Sequence, residues 1–167
     1  MVEKTLSDLF LAQLKDIYYA EKKIFRTLPK MVQAAQDAEL KKAFTTHREE
    51  TQGQIERLEQ VFEMIGKRPQ AKPCEAINGI VAEGEETIEE FGESPAIDTG
   101  LVAAGQAVEH YEMARYGAII AWAGQLNIPK AAALLSETLQ EEMKAEKLLT
   151  QIAQSKADKT AATKMAA

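Results

Sequence analysis

The residues that end helices are few in this chain, and they come in clumps. Gly66, Pro69 and Pro73 fall within "GKRPQAKPC", Gly92, Ser94 and Pro95 within "FGESPAID", and Pro129 two residues after Asn127. Between the clumps run long tracts of Ala, Glu, Lys, Leu and Gln, which lose little side-chain freedom in a helix. The pattern predicts helices over about 5–36, 39–65, 75–91, 97–125 and 130–154. Ser7 and Asp8 are candidate caps for the first of them, and Ser94 with Pro95 introduces the helix over 97–125. Pro29 lies inside the first helix and is expected to kink it, because it removes a backbone hydrogen bond. The tail "SKADKTAATKMAA" is small and polar and is expected to fray. No stretch predicts a strand. The fold class is therefore all-α. Short turns join the long helices into two antiparallel hairpins of an up-down four-helix bundle, one domain in all. The link over about 66–96 is long enough to be a crossover carrying the extra short helix.

Composition narrows the function. Hydrophobic content of 46% with 28% charged residues rules out a disordered chain. A net charge of −6 offers no basic stripe to a phosphate backbone, so no nucleic-acid partner is expected. No run approaches the roughly 20 apolar residues that span a bilayer, and "MVEKTLSDLF" has no apolar signal region, so no membrane partner is expected either. A single cysteine, Cys74, has no internal disulfide partner and suits a reducing compartment. These features predict a cytoplasmic protein.

Advancing each residue by about 100° around its helix shows where the apolar stripes lie. In the first helix the stripe is Phe10, Leu14, Ile17, Tyr18, Ile24, Phe25, Leu28 and Val32, with Glu21 near its centre. In the helix over 97–125 it is Val108, Tyr116, Ile119, Ile120 and Ala123, with Glu109 and Glu112 inside it, side by side. In the last helix Leu135, Leu139 and Leu149 enclose Glu142, and Glu146 follows one turn later. The second helix turns His47, Thr51 and Gln54 inward and keeps Glu50 on the flank. Heights agree as well. Glu21 lies roughly 22 Å before the first turn and Glu50 roughly 17 Å after it; Glu112 and Glu142 lie roughly 21 and 18 Å either side of the second. The hairpins read as a weak internal duplication that brings glutamates together at mid-bundle.

Carboxylates gathered in a core of low dielectric cannot all stay ionised alone. Buried charge persists when it is paired or when it holds metal. No lysine or arginine falls at the centre of any stripe at this level; Arg115, at an edge, could serve one glutamate at most. Two divalent cations would neutralise most of the charge, and inward glutamates on every helix are the pattern of a carboxylate-bridged dinuclear site. The predicted metal ligands are Glu21, Glu50, Glu109, Glu112, Glu142 and Glu146, with His47 and Gln54 as nitrogen or amide contributors; the alternative for His47, which the sequence favours slightly, is a core histidine beside the ligands. Tyr18 and Tyr116 flank the site as hydrogen-bond donors or core, His110 faces away, and Cys74 reads as a small buried residue near the crossover.

Five segments, "LKDIYYAEKKIFRTLPKM", "HREETQGQIERLEQVF", "PCEAINGI", "AGQAVEHYEMARYGAIIAWA" and "LLSETLQEEMKAEKLL", resemble the YciE/YciF family in one register over about residues 5–153. The resemblance implies a ferritin-like bundle with an added short helix, two iron-type ions (manganese or another divalent metal being the alternative), a homodimer and a link to stress responses. More distantly the chain is similar to rubrerythrin-like di-iron proteins, whose Glu-x-x-Glu is matched by Glu109 and Glu112. It departs from the wider group where Glu-x-x-His is usual: Gly53 follows Glu50 by three and Ala145 follows Glu142 by three. His47, Gln54 and Glu146 are then the substitutes, and an oxygen-rich shell favours harder metals. The resulting expectation is a dinuclear metal-binding protein with or without oxidase or peroxidase turnover. Its rival is a non-catalytic structural homodimer whose core glutamates are protonated.

Overall fold

The described residues of the computed structural model are 3–165 for the backbone and 3–156 for side chains. Helix α1 (Leu6–Ala34) opens at Thr5, whose hydroxyl accepts from the Asp8 N–H at 3.3 Å while the Asp8 carboxylate accepts from the Thr5 N–H at 2.8 Å. This reciprocal pair satisfies two donors at once, so Thr5 takes the cap position expected for Ser7 or Asp8, and Asp8 serves as its partner one turn on. The helix continues through Pro29 to Ala34. Asp37 caps α2 (Ala38–Met64) by accepting from the N–H groups of Glu39 and Leu40 at 2.9 and 3.1 Å.

Two helices stop the same way. After α2, Gly66 adopts φ 66°, the Lys67 N–H reaches back to the Phe62 carbonyl and the Gly66 N–H to that of Glu63. After α4 (Ile97–Gln125), Asn127 adopts φ 56°, and Ile128 and Asn127 bond the carbonyls of Ala123 and Gly124. Both are left-handed stops that satisfy the last carbonyls, and Pro129 then begins α5 (Pro129–Met165) where its missing N–H costs nothing. Ser94 accepts from the Ala96 N–H at 3.1 Å ahead of α4. Helix α5 was expected to end near 154, but its helical backbone reaches Met165, because the tail has Ala and Lys and no Gly or Pro to stop it. Residues 166–167 and the side chains after 156 lie outside the described residues.

Helices α1, α2, α5 and α4 pack in that order around a ring, each against two neighbours. Gln54 meets Glu141 and Arg57 meets Thr138, so α2 and α5 run antiparallel. The Asp98 carboxylate at the start of α4 receives the N–H groups of Gln36 and Asp37 in the α1–α2 turn. So α4 starts at the end of the bundle where α2 starts, and the chain must return the full length between them. Helix α3 (Glu75–Phe91) makes that return, roughly 25 Å of helix, packed against α1 and α4 with Ile77 and Val81 buried. Among the described residues all regular structure is helical.

Candidate metal centre

Midway along the ring the apolar core gives way to a polar layer. Glu21, Thr51, Gln54, Glu112 and Glu142 are 0% exposed, Glu109 2% and His47 5%. Each long helix contributes, for the reason its stripe dictates: an inward position on a helix flanked by apolar turns has nowhere to go but the core. One turn before Glu109, Gly105 lets α4 approach its neighbours. A Cβ there would lie 2.9 Å from the Leu149 side chain and 3.3 Å from the Phe44 ring.

The layer is crowded with acceptors and short of donors. His47 Nε2 lies 3.2 Å from Glu109 Oε1, too poorly aligned for a hydrogen bond, and His47 Nδ1 lies 3.9 Å from Glu142 Oε2. One ligand atom each from His47, Glu109, Glu112 and Glu142 falls within 4.8 Å of the other three. Glu21 faces Glu112 and accepts from the Tyr116 hydroxyl. Among the described residues, both nitrogens of His47, both oxygens of Glu112 and of Glu142, and one oxygen each of Glu21, Glu109 and Gln54 have no hydrogen-bond partner. Buried polar atoms are seldom left so, since each costs about 1–3 kcal/mol. Here nine such atoms share one layer.

Electrostatics follows from burial. Desolvation pushes Glu112 and Glu142 well above the usual carboxylate range, reinforced by their carboxylate neighbours. Glu109 rises to about 8 by burial, opposed by the facing Glu142 carboxyl, with Glu21, Glu50 and Glu146 adding to the rise. Glu21 rises to about 7, because burial outweighs the bond from Tyr116 and the influence of the facing Glu112 carboxyl. Burial drops His47 to about 4, leaving a neutral imidazole with ligand-capable nitrogens.

Other predicted site residues stand further out. Glu50 is 24% exposed, 4.0 Å from His47 Nδ1 on one side and 3.9 Å from Lys144 on the other. Glu146 is half-buried and accepts from Thr150 at 2.8 Å. Gln54 donates to Glu141 at 3.0 Å and keeps its oxygen in the core. Tyr18 turns to Glu59 at 2.8 Å rather than to the site. His110 is exposed, and Cys74 caps α3 with its sulfur 2.9 Å from the Tyr111 hydroxyl. Arg115 is exposed over the Tyr111 ring and serves no core glutamate in the layer's hydrogen bonds. Sequence reasoning missed Arg57, which reaches in from the flank of α2 to pair with Glu141 and to donate to Thr138 at 3.2 Å. Its sequence signal is its place three residues after the inward Gln54. Because Glu141 matches its charge, Arg57 lowers the layer's burden only slightly.

Two passages reach His47 and Glu109 from opposite sides. One is an opening of about 250 Å³ between α2 and α5, walled by Phe44, Leu148 and Leu149 and edged by Glu39, Glu50 and Lys144. The other, about 30 Å³, is a crevice among α1, α3 and α4 lined chiefly by Ile24, Leu28, Ile80, Val81 and Val108. No helix among the described residues is long and apolar enough to cross a membrane.

The chain is similar to known proteins over nearly its whole length. Residues 5–162 match the family described as a domain of unknown function, DUF892. Protein YciF of Escherichia coli K12 is 42% identical over 96% of this chain and 98% of its own. The crystal structure of that E. coli stress protein superposes with a TM-score of 0.90, covering 94% of this chain and 99% of the other. YcfI of Rhodopseudomonas palustris, 46% identical, superposes with a TM-score of 0.86 over 88% of this chain and 94% of the other. A Xanthomonas campestris protein, 20% identical, shares the fold with a TM-score of 0.75 over 96% and 99%. The all-α bundle with its crossover helix is thus the YciF-type helical bundle, and the chain belongs to the DUF892 family, that of the stress protein YciF.

Proposed function

We infer that the protein binds two divalent ions of the iron type in the layer formed by Glu21, His47, Glu109, Glu112 and Glu142, and that it does so in a stress response, as the description of its YciF relative suggests. The observation that carries this is the set of nine unpartnered buried atoms on ligand-type side chains. The donor set fits the ions. Four fully buried carboxylates carry four negative charges, which two divalent cations would balance, and a neutral imidazole adds nitrogen without adding charge. Oxygen predominates over nitrogen, which suits iron or manganese better than softer metals. Such a pair supplies redox and Lewis-acid chemistry toward peroxide or dioxygen. The chain's own part is to hold the carboxylates apart from water, to fix Glu21 through the Tyr116 hydroxyl, and to keep His47 neutral.

Elemental analysis after expression without chelators tests the reading, with the Glu21→Ala/Glu142→Ala double variant as control. About two iron or manganese atoms per chain, lost in the double variant, are expected; a metal-free protein whose melting temperature ignores added Fe(II) and Mn(II) sinks the proposal. A second reading, a non-catalytic homodimer with protonated core glutamates, draws on the facing carboxyl pairs Glu21–Glu112 and Glu109–Glu142, each suited to sharing a proton. That second outcome would favour it.

A further inference from the structure

The buried layer needs a way in for its cation, and the two passages differ in what they can carry. A hydrated divalent cation brings roughly six waters of about 30 Å³ each, about 180 Å³ in all. The opening between α2 and α5, about 250 Å³, accommodates that; the crevice of about 30 Å³ among α1, α3 and α4 does not. A cation in the apolar crevice would also shed its water with nothing to replace it, a penalty of several kcal/mol or more. The opening between α2 and α5, edged by Glu39 and Glu50, wins on both size and solvation.

Within that opening one side chain reaches both ends. Glu50 is a half-buried member of the predicted ligand set that lines this opening and borders the layer: Oε2 lies 4.0 Å from His47 Nδ1, and Oε1 lies 3.9 Å from the Lys144 ammonium, itself 80% exposed. Ala145, where a bulkier side chain would narrow the passage, forms part of its wall. Resting on the metal-centre reading, we propose that a divalent cation reaches the layer between α2 and α5, that Glu50 is the carboxylate that takes it from solvent and hands it to His47 and Glu142, and that Lys144 gates the transfer by holding Glu50 outward. The inner carboxylates are the resting place; Glu50 is the step before it. Lys144 must release Glu50 for the cation to bind there, so uptake and the Lys144–Glu50 contact compete for the same oxygens.

Co(II) is a suitable probe, because its visible absorption reports ligation without turnover. Protein stripped of metal and mixed rapidly with Co(II) gives an association rate, and competition with a chelator gives the affinity. Glu50→Gln is expected to slow association about ten-fold with a much smaller change in affinity, and Lys144→Gln to speed it about three-fold. Ala145→Leu, which alters no charge, should slow uptake and release alike and leave affinity unchanged. If Glu50→Gln leaves the association rate intact and loses affinity through faster release, Glu50 is an ordinary ligand and the proposal fails. A slower or unchanged Lys144→Gln overturns the gate, and an unaltered Ala145→Leu overturns the route. Wild-type protein that takes up no Co(II) brings down the metal-centre reading and this proposal with it, a failure visible before any variant is compared.

Discussion

Helix α4 carries two kinds of buried acid, and they differ in what surrounds them. Asp98, 6% exposed, accepts from the backbone of Gln36 at 2.7 Å and of Asp37 at 3.1 Å and from Lys156 at 2.7 Å. Burial alone would raise its pKa, but these donors outweigh it and hold the carboxyl below its usual range. Glu112, a few turns along the same helix, is 0% exposed with both oxygens unpartnered, and burial pushes it the opposite way. One acid is satisfied by the fold and helps to make it: Asp98 ties the α1–α2 turn to the start of α4 and to α5. The other is tolerated by the fold and suits something the chain does not supply. Depth is shared; donors are what separate a structural acid from a candidate ligand.

The largest test of that contrast is pH. In the unfolded chain Glu109 titrates near 4.5, whereas in the fold without metal it keeps its proton to about 8, and burial raises Glu112 and Glu142 well above the usual range as well. A raised acid pKa means that the folded state binds more protons, so stability falls as pH rises from 4.5 toward 8. His47 acts oppositely: its pKa drops from 6.5 to about 4, so its contribution is lost as pH falls below 6.5. Above 6.5 only the glutamates act. Between pH 6.5 and 8 the chelator-stripped protein should lose about 2 kcal/mol of stability for each carboxyl that stays protonated across the window, and its melting temperature should fall by about 6 °C for each. Saturating metal should abolish the fall, because ions displace those protons and bind better as pH rises. Calorimetry across that window, with and without Mn(II), reads both halves; a flat profile without metal would mean that water, not protons, relieves the glutamates.

Removing the satisfied acid comes next. Asp98→Ala takes the acceptor from two backbone N–H groups of the α1–α2 turn and one of the ion-pair partners of Lys156, which keeps Asp37 at 3.8 Å. The expected loss is about 3 kcal/mol, roughly 9 °C in melting temperature, with no change in metal content. Chemical denaturation with metal analysis of the same sample checks it.

The two acids were also unequally legible. Helical periodicity reports direction, and it turned Glu21, Glu109, Glu112 and Glu142 inward, where they are buried. It says nothing of donors arriving from a distant turn, and the partners of Asp98 lie 62 and 61 positions away. Long side chains escaped it for a related reason. Arg57 starts on a flank yet reaches Glu141, and Tyr18 lies on the stripe yet carries its hydroxyl out to Glu59. The cap of α1 was misplaced because Ser7 and Asp8 each suit a cap alone, whereas Thr5 with Asp8 satisfies two donors together. The break residues, in contrast, act through their own backbone, so the turns at Gly66 and Asn127 fell where Gly, Asn and Pro cluster.

Substituting the unsatisfied acid should have the reverse sign. Glu112→Gln keeps the shape and cannot ionise, so the chelator-stripped variant at pH 8 should be more stable than wild type by about 2 kcal/mol, while the stabilisation gained from added metal shrinks or disappears. Paired melting curves with and without Mn(II) give both numbers. A destabilised Glu112→Gln would place the acid with Asp98, as a member of a satisfied network, and end the distinction drawn between them.

The smallest effect tests the border between the two kinds. Tyr116 is fully buried, and its hydroxyl donates to Glu21, among the described residues the one carboxylate of the layer with a hydroxyl donor. That bond favours the ionised glutamate, so it should matter more when metal holds Glu21 charged than when a proton does. Tyr116→Phe removes only the hydroxyl. Without metal at pH 6 the cost should be about 1 kcal/mol, the worth of one hydrogen bond, because Glu21 is then largely protonated. With metal the affinity should drop about ten-fold, since Glu21 loses the group that fixes its orientation. Titration of Co(II) into both proteins separates the cases: equal affinities would make Tyr116 a core residue that happens to touch an acid, whereas a ten-fold loss would make it part of the centre.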